Sequence, residues 1–138
     1  MAGVFPSAEW LDSVVDKLNS DEKYARVAHN WEGDMNFVID PGGALTAGMQ
    51  IYLDLWHGQC RSARVVTDGA LPEAAFTLQA TYDNYVRVLK GQLDPIQAML
   101  MRKLAVKGNM AYIMRNVPVV LDFVRCLREV TDTYLETA

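Results

Sequence analysis

"AAFTLQATYDNYVRVLKGQLDPIQAMLMRKLAVKGNM", residues 74–110, changes its apolar period twice. First Phe76, Leu78 and Ala80 alternate, which is the period-two pattern of a strand with one buried face. Thr81 then stands at a helix cap, and Tyr82, Tyr85, Val86 and Leu89 recur at i, i+3, i+4 and i+7. Gly91 supplies the left-handed stop. Asp94-Pro95 opens a second, short helix, since a proline at the first helical position forgoes no needed hydrogen bond. "KLAVK" returns to period two, with Leu104 and Val106 inward and Lys103 and Lys107 outward.

Upstream, Ser7 caps a first helix whose apolar face is Trp10, Leu11, Val14, Val15 and Leu18, with Glu9 favoured by the dipole in its first turn. Ser20, Asp21 and Glu22 restart a shorter helix with Tyr24, Val27, Ala28 and Trp31 on one face. Three alternating runs follow before residue 74. Met35, Phe37 and Ile39 share one face of the first; Met49, Ile51, Leu53 and Leu55 share one face of the second. "PGGALTAG" between them is a loop. His57, Gly58 and Gln59 make a tight turn into "CRSARVV", the return strand of a hairpin. Downstream of Gly108 the chain reads as helix to its end, broken near Pro118, with Val120, Phe123, Leu127, Val130 and Tyr134 as its stripe. Two helices, four strands, two helices, one strand and a closing helix predict an α+β fold. Short turns between strands predict a mostly antiparallel five-stranded sheet covered on one face by about five helices.

The 138 residues fit a single domain, 1–138, with an extended C-terminal helix. A net charge of −4 offers no global field for nucleic acid. Cys60 and Cys126 sit in unrelated segments without a CxxC pair, which suits reduced thiols. The start "MAGVFPSAEW" lacks a basic then apolar leader, the end "LETA" matches no organelle address, and no apolar run is long enough to span a bilayer. The expected location is therefore cytoplasmic.

The stretch 74–110 resembles the sterol carrier protein type 2 family. The residues that carry the likeness are Thr77, Leu78, Lys90, Gly91, Asp94, Pro95, Ala98, Met99, Leu100, Lys103, Leu104, Val106, Gly108 and Asn109. The spacing fits without a gap, while the N-terminal half matches by element order. The resemblance implies an apolar tunnel between sheet and helices. It also implies non-catalytic binding or transfer of a fatty acid, fatty acyl-CoA, sterol or other lipid, with no catalytic residue, cofactor or metal. Two departures stand out. The family has Gly immediately before Lys-Leu, where this chain has Arg102. The tail after Met114 is longer and more apolar, and it is free to lengthen the tunnel wall, plug it or join two subunits as a homodimer.

With the resemblance, the expected lipid-contact set is Phe37, Ile51, Leu53, Leu55, Phe76, Leu78, Tyr82, Leu89, Met99, Leu100, Leu104, Val106, Met110, Ile113, Met114 and Val117. Four of the seven methionines fall in residues 91–116, and soft side chains accept several ligand shapes. Arg102, Lys103 and Lys107 are candidates for a lipid head group, CoA phosphates or transient contact with an anionic membrane. The alternative reading is an accessory subunit or enzyme that presents or processes a greasy substrate, because such domains also occur fused to enzymes. Asp54, His57 and Cys60 surround one hairpin but match no nucleophile signature. His29 and His57 lack metal-ligand spacing.

Overall fold

The structure, a computed structural model, describes residues 3–135. Its elements in chain order are β1 (Val4–Phe5), α1 (Ala8–Ser20), α2 (Glu22–Val27), β2 (Met35–Asp40), β3 (Met49–Trp56), β4 (Gln59–Val66) and β5 (Phe76–Thr81). Then come α3 (Tyr82–Leu89), α4 (Pro95–Leu100), β6 (Ala105–Lys107), α5 (Met110–Arg115), α6 (Val117–Glu129) and β7 (Thr133–Tyr134). The helix starts follow their caps. Ser7, Asp21, Thr81, Asp94 and Asn109 each accept a backbone N–H from the first turn that follows.

The main sheet runs β4-β3-β2-β5-β6. Three of its pairings are antiparallel and the central one, β2 with β5, is parallel, so the sheet is mixed. The β3–β4 hairpin turns on His57 and Gly58, both at positive φ, as a two-residue turn matched to strand twist requires. Residues 67–75 then carry the chain from the edge back to the centre, over the face away from the helices. Asn36 pins this crossing by donating its Nδ2–H to the Pro72 carbonyl at 2.7 Å. At the other edge Gly108 (φ +137°) passes so close that an added Cβ would clash with the Ala75 carbonyl oxygen. Only glycine closes β6 against β5 there.

One sheet face is apolar as expected. Met35, Phe37 and Ile39, then Ile51, Leu53 and Leu55, then Phe76, Leu78 and Ala80 are all buried. Two helical expectations are corrected. The second helix stops at Val27, and Trp31 lies beyond it, buried, its indole N–H donated to the Gly33 carbonyl at 2.8 Å. The closing run is two helices that part at Asn116, and α6 ends at Glu129 instead of running on. Pro118 sits in the first turn of α6, where its missing N–H costs nothing. Tyr134, read as part of the helical stripe, instead belongs to β7, which pairs in parallel with β1. Long-range bonds overrule helical spacing here. The Trp10 indole N–H reaches Thr131 Oγ1 at 2.8 Å, the Tyr134 ring packs on Phe5, and the Leu135 N–H donates to the Tyr82 hydroxyl.

Candidate functional site

A cavity of about 60 Å³ lies between the apolar sheet face and the helices. Every helix contributes to its wall: Trp10 from α1, Tyr24 from α2, Tyr85, Val88 and Leu89 from α3, Pro95 and Met99 from α4, Ile113 from α5, and Val119, Val120, Phe123, Val124 and Leu127 from α6. The sheet adds Met35, Phe37, Leu55, Phe76 and Leu78, and Phe5, Trp31 and Leu104 complete the lining. Three polar tips of the aromatic wall have hydrogen-bond partners of their own. Tyr85 donates its hydroxyl to the Leu78 carbonyl at 2.9 Å, and Trp10 and Trp31 are satisfied as described. Burial pushes the Tyr85 and Tyr24 hydroxyls well above their usual range, so both stay neutral. The rest of the lining is apolar, and an apolar guest gains about 0.8 kcal/mol for each CH₂ it buries.

The open tunnel expected between sheet and helices is not seen; the space there is a small apolar void. A cavity near 150 Å³ holds benzene, so this one is far too small for a long hydrocarbon chain in its present shape. Leaving it empty costs on the order of 1 kcal/mol.

The expected contact set divides. Phe37, Leu55, Phe76, Leu78, Leu89, Met99, Leu104 and Ile113 line the cavity. Ile51 and Leu53 are fully buried in the core outside its lining. Tyr82 packs its ring on Phe5 (centroids 5.8 Å apart) and faces a separate, shallow surface groove together with Lys90 and Tyr134. Val106, Met110 and Val117 are half-buried, and Leu100 and Met114 are exposed. The reason is helix rotation: Met99 and Ile113 point inward, so the next residue on each short helix points out. Arg102 and Lys107 are exposed and Lys103 is half-buried. Arg102 holds φ +60° just after α4, which explains why a glycine suits that position. Sequence reasoning missed the share of the wall built by α1, α2 and α6. The apolar stripes Trp10–Leu18 and Val120–Leu127 were the available signal, but a stripe does not say whether it meets a void or another side chain.

The other constellations resolve structurally. Asp54 pairs with Arg61 (3.0 Å), and His57 Nε2 lies 2.6 Å from Glu32 Oε2. Burial raises the Cys60 thiol to about 11, far from a thiolate nucleophile. Asp21, Asp122 and Cys126 bring donor atoms within 4.8 Å of one another. They do not fit a cation, because Arg125 donates to all four oxygens of the two carboxylates and burial raises the Cys126 thiol to about 11.

The profile of the SCP-2 sterol transfer family matches residues 11–120. The chain belongs to that family. Among solved structures, an SCP-2 family member described as sterol carrier protein 2 is 31% identical (TM-score 0.81, covering 91% of this chain and 98% of that one). A possible sterol carrier protein from Thermus thermophilus is 30% identical (TM-score 0.83, covering 96% and 94%). The SCP-2 fold is also shared by the sterol carrier protein of Aedes aegypti in complex with palmitate, at 22% identity (TM-score 0.51, covering 83% and 94%). No curated protein sequence is significantly similar to the chain. No described helix is long and apolar enough to cross a membrane.

Proposed function

We propose that this SCP-2 family chain binds and transfers a single-tailed lipid, of which a fatty acid or fatty acyl group is the simplest. The observation that carries the reading is an apolar hollow walled by all six helices and the sheet, in a fold whose Aedes aegypti member holds palmitate. The mechanism is partition: the tail leaves water for the hollow and a polar head stays outside. Uptake requires the wall to give way. The part best suited is α4, β6 and α5, of three to six residues each, with the flexible Met99 facing inward. The wall carries two neutral tyrosines and no carboxylate, histidine, cysteine or amine, which suits holding a substrate better than transferring its protons.

The test is lipid extraction from purified protein with mass spectrometry, beside titration of a fluorescent fatty acid. Wild type carries lipid and binds the probe. Val124→Phe, which fills the hollow, keeps the circular dichroism of wild type and lowers probe affinity at least about tenfold, the loss of roughly two buried CH₂ groups. Protein free of lipid that ignores the probe, or a Val124→Phe variant that binds it as wild type does, overturns the reading.

A further inference from the structure

The two histidines of the chain, His29 and His57, stand far apart in sequence and meet at one place on the surface. Their ring centroids are 6.3 Å apart, and both residues are exposed. Glu32, also exposed, joins them, with its Oε2 2.6 Å from His57 Nε2.

The backbone under these side chains is fixed. Glu32 forms an antiparallel bridge with Trp56, the His57 N–H donates to the Trp31 carbonyl at 2.7 Å, and the Trp31 N–H donates to the Ala28 carbonyl at 2.9 Å. Gly58 packs the hairpin tip so close on α2 that a Cβ there would come 2.8 Å from the Ala25 carbonyl oxygen. The His57 ring lies parallel to the Trp56 ring, centroids 5.0 Å apart. Two distant segments thus hold one carboxylate and two imidazoles on a common frame. No Lys or Arg pairs with Glu32 among the described residues, and Arg61, which covers Trp56, has its own carboxylate in Asp54 (3.0 Å).

Imidazole and carboxylate together suit zinc and its neighbours among the divalent transition ions. With zinc–ligand lengths of about 2.0–2.1 Å, a tetrahedral ion holds a nitrogen and an oxygen about 3.3 Å apart, and two ring centroids about 5 Å apart. The Glu32–His57 pair opens by less than an ångström to admit one. The His29 side chain makes no hydrogen bond among the described residues, and rotating it by about 1 Å at the ring brings in the third ligand. The ion takes the Nε2 lone pair of a neutral His57, whose ring proton then sits on Nδ1.

We propose that His29, Glu32 and His57 bind one divalent transition-metal ion, zinc being the type, with water completing its coordination. None of the three lines the hollow, so the site stands apart from the lipid-binding reading. Its effect is structural. The ion staples the segment that carries the wall residue Trp31 to the β3–β4 hairpin, and it stabilises the fold because only the folded chain assembles the three ligands.

The experiment is isothermal titration of the full, chelator-treated chain with Zn²⁺, beside thermal melts with and without the ion. Wild type takes up one zinc per chain and melts at a higher temperature when zinc is in excess. His57→Asn removes the ring but keeps a residue that suits φ +50°, and it weakens zinc binding at least about tenfold. His29→Ala and Glu32→Gln each weaken it as much, and all three variants keep the circular dichroism of wild type. Glu73→Gln makes the same charge change as Glu32→Gln on an exposed acid of the 67–75 crossing, and stays within about twofold of wild type. The proposal is overturned if wild type takes up no zinc, or if any of the three ligand changes leaves the affinity as in wild type. It is equally overturned if Glu73→Gln costs as much as Glu32→Gln, or if light scattering shows zinc pairing two chains that share the ligands.

Discussion

The two sides of the hollow are held in opposite ways. On one side, α6 is tied to α1 and α2 by a single guanidinium. Arg125 gives its Nε–H to Asp122 (2.8 Å), bonds from both terminal nitrogens to Asp21 (2.7 and 3.2 Å), and a further bond to Glu129 (2.9 Å). Lys17 closes the ring between Asp21 (3.1 Å) and Glu129 (2.7 Å). Asp21 is also the N-cap of α2, so one carboxylate fixes both a helix start and a helix pair. On the other side, α4, β6 and α5 have no such tie. They rest on the pairing of β6 with β5, short backbone turns, an Asn84-to-Lys103 carbonyl bond and the Glu32 N–H donated to the Tyr112 hydroxyl (2.9 Å). A small apolar hollow therefore sits between a wall fastened by charge and a wall fastened by packing. The contrast teaches where expansion is cheap: packing against soft side chains yields in small steps, whereas a half-buried charge network yields only by exposing unpaired charges.

The sharpest way to break the contrast is Arg125→Met. It leaves the buried Asp122 with only a distant Lys23 (3.6 Å) and frees Asp21 from its main partner. We expect a loss of about 3 kcal/mol in urea unfolding. If the change is near neutral, α6 is held by packing alone and the two walls do not differ.

Acid loosens the same wall without mutation. Hydrogen bonds from Arg125 hold the Asp21 carboxyl well below its ordinary range, and Lys17 followed by Arg125 does the same for Glu129. A carboxylate depressed in the folded state contributes stability that is complete above its unfolded value, near 4, and is lost as pH falls through the folded value. Wild-type stability should accordingly decline below about pH 4, and more steeply than that of Arg125→Met. Parallel pH profiles of the urea midpoint for the two proteins would disprove the assignment.

The smallest effect sharpens the other side. Arg102→Gly removes the left-handed strain after α4 and should raise stability by on the order of 0.5–1 kcal/mol, after the greater freedom of glycine in the unfolded chain is set against it. A loss of stability would mean that the Arg102 side chain holds the loop in a way its exposed position does not suggest.

Legibility followed the range of the forces involved. Caps such as Thr81 and Asp94, the left-handed Gly91, and the alternation Phe76-Leu78-Ala80 are local, and each could be read from a few neighbouring residues. Met99 and Ile113 were legible as inward residues, whereas Leu100 and Met114 were not separable from them. Both neighbours are large and apolar, and only the helix phase against the sheet decides which one turns out. Trp31 and Tyr134 misled because their spacing continued a helical stripe that tertiary bonds had already cut short.

The sequence by itself determined the order of the central elements from α1 to β6, their helix starts, the apolar face of the sheet, the family likeness and the acid-free basic stretch around α4 and α5. Only the tertiary structure decided four things: that β2 and β5 run parallel, that the ends of the described chain pair as β1 and β7, that Arg125 joins Asp122 of its own helix to the distant Asp21, and that the hollow is small. The reason is physical. Periodicity and capping depend on groups a few residues apart, while strand partners, ion networks and leftover volume depend on how distant faces fill space together.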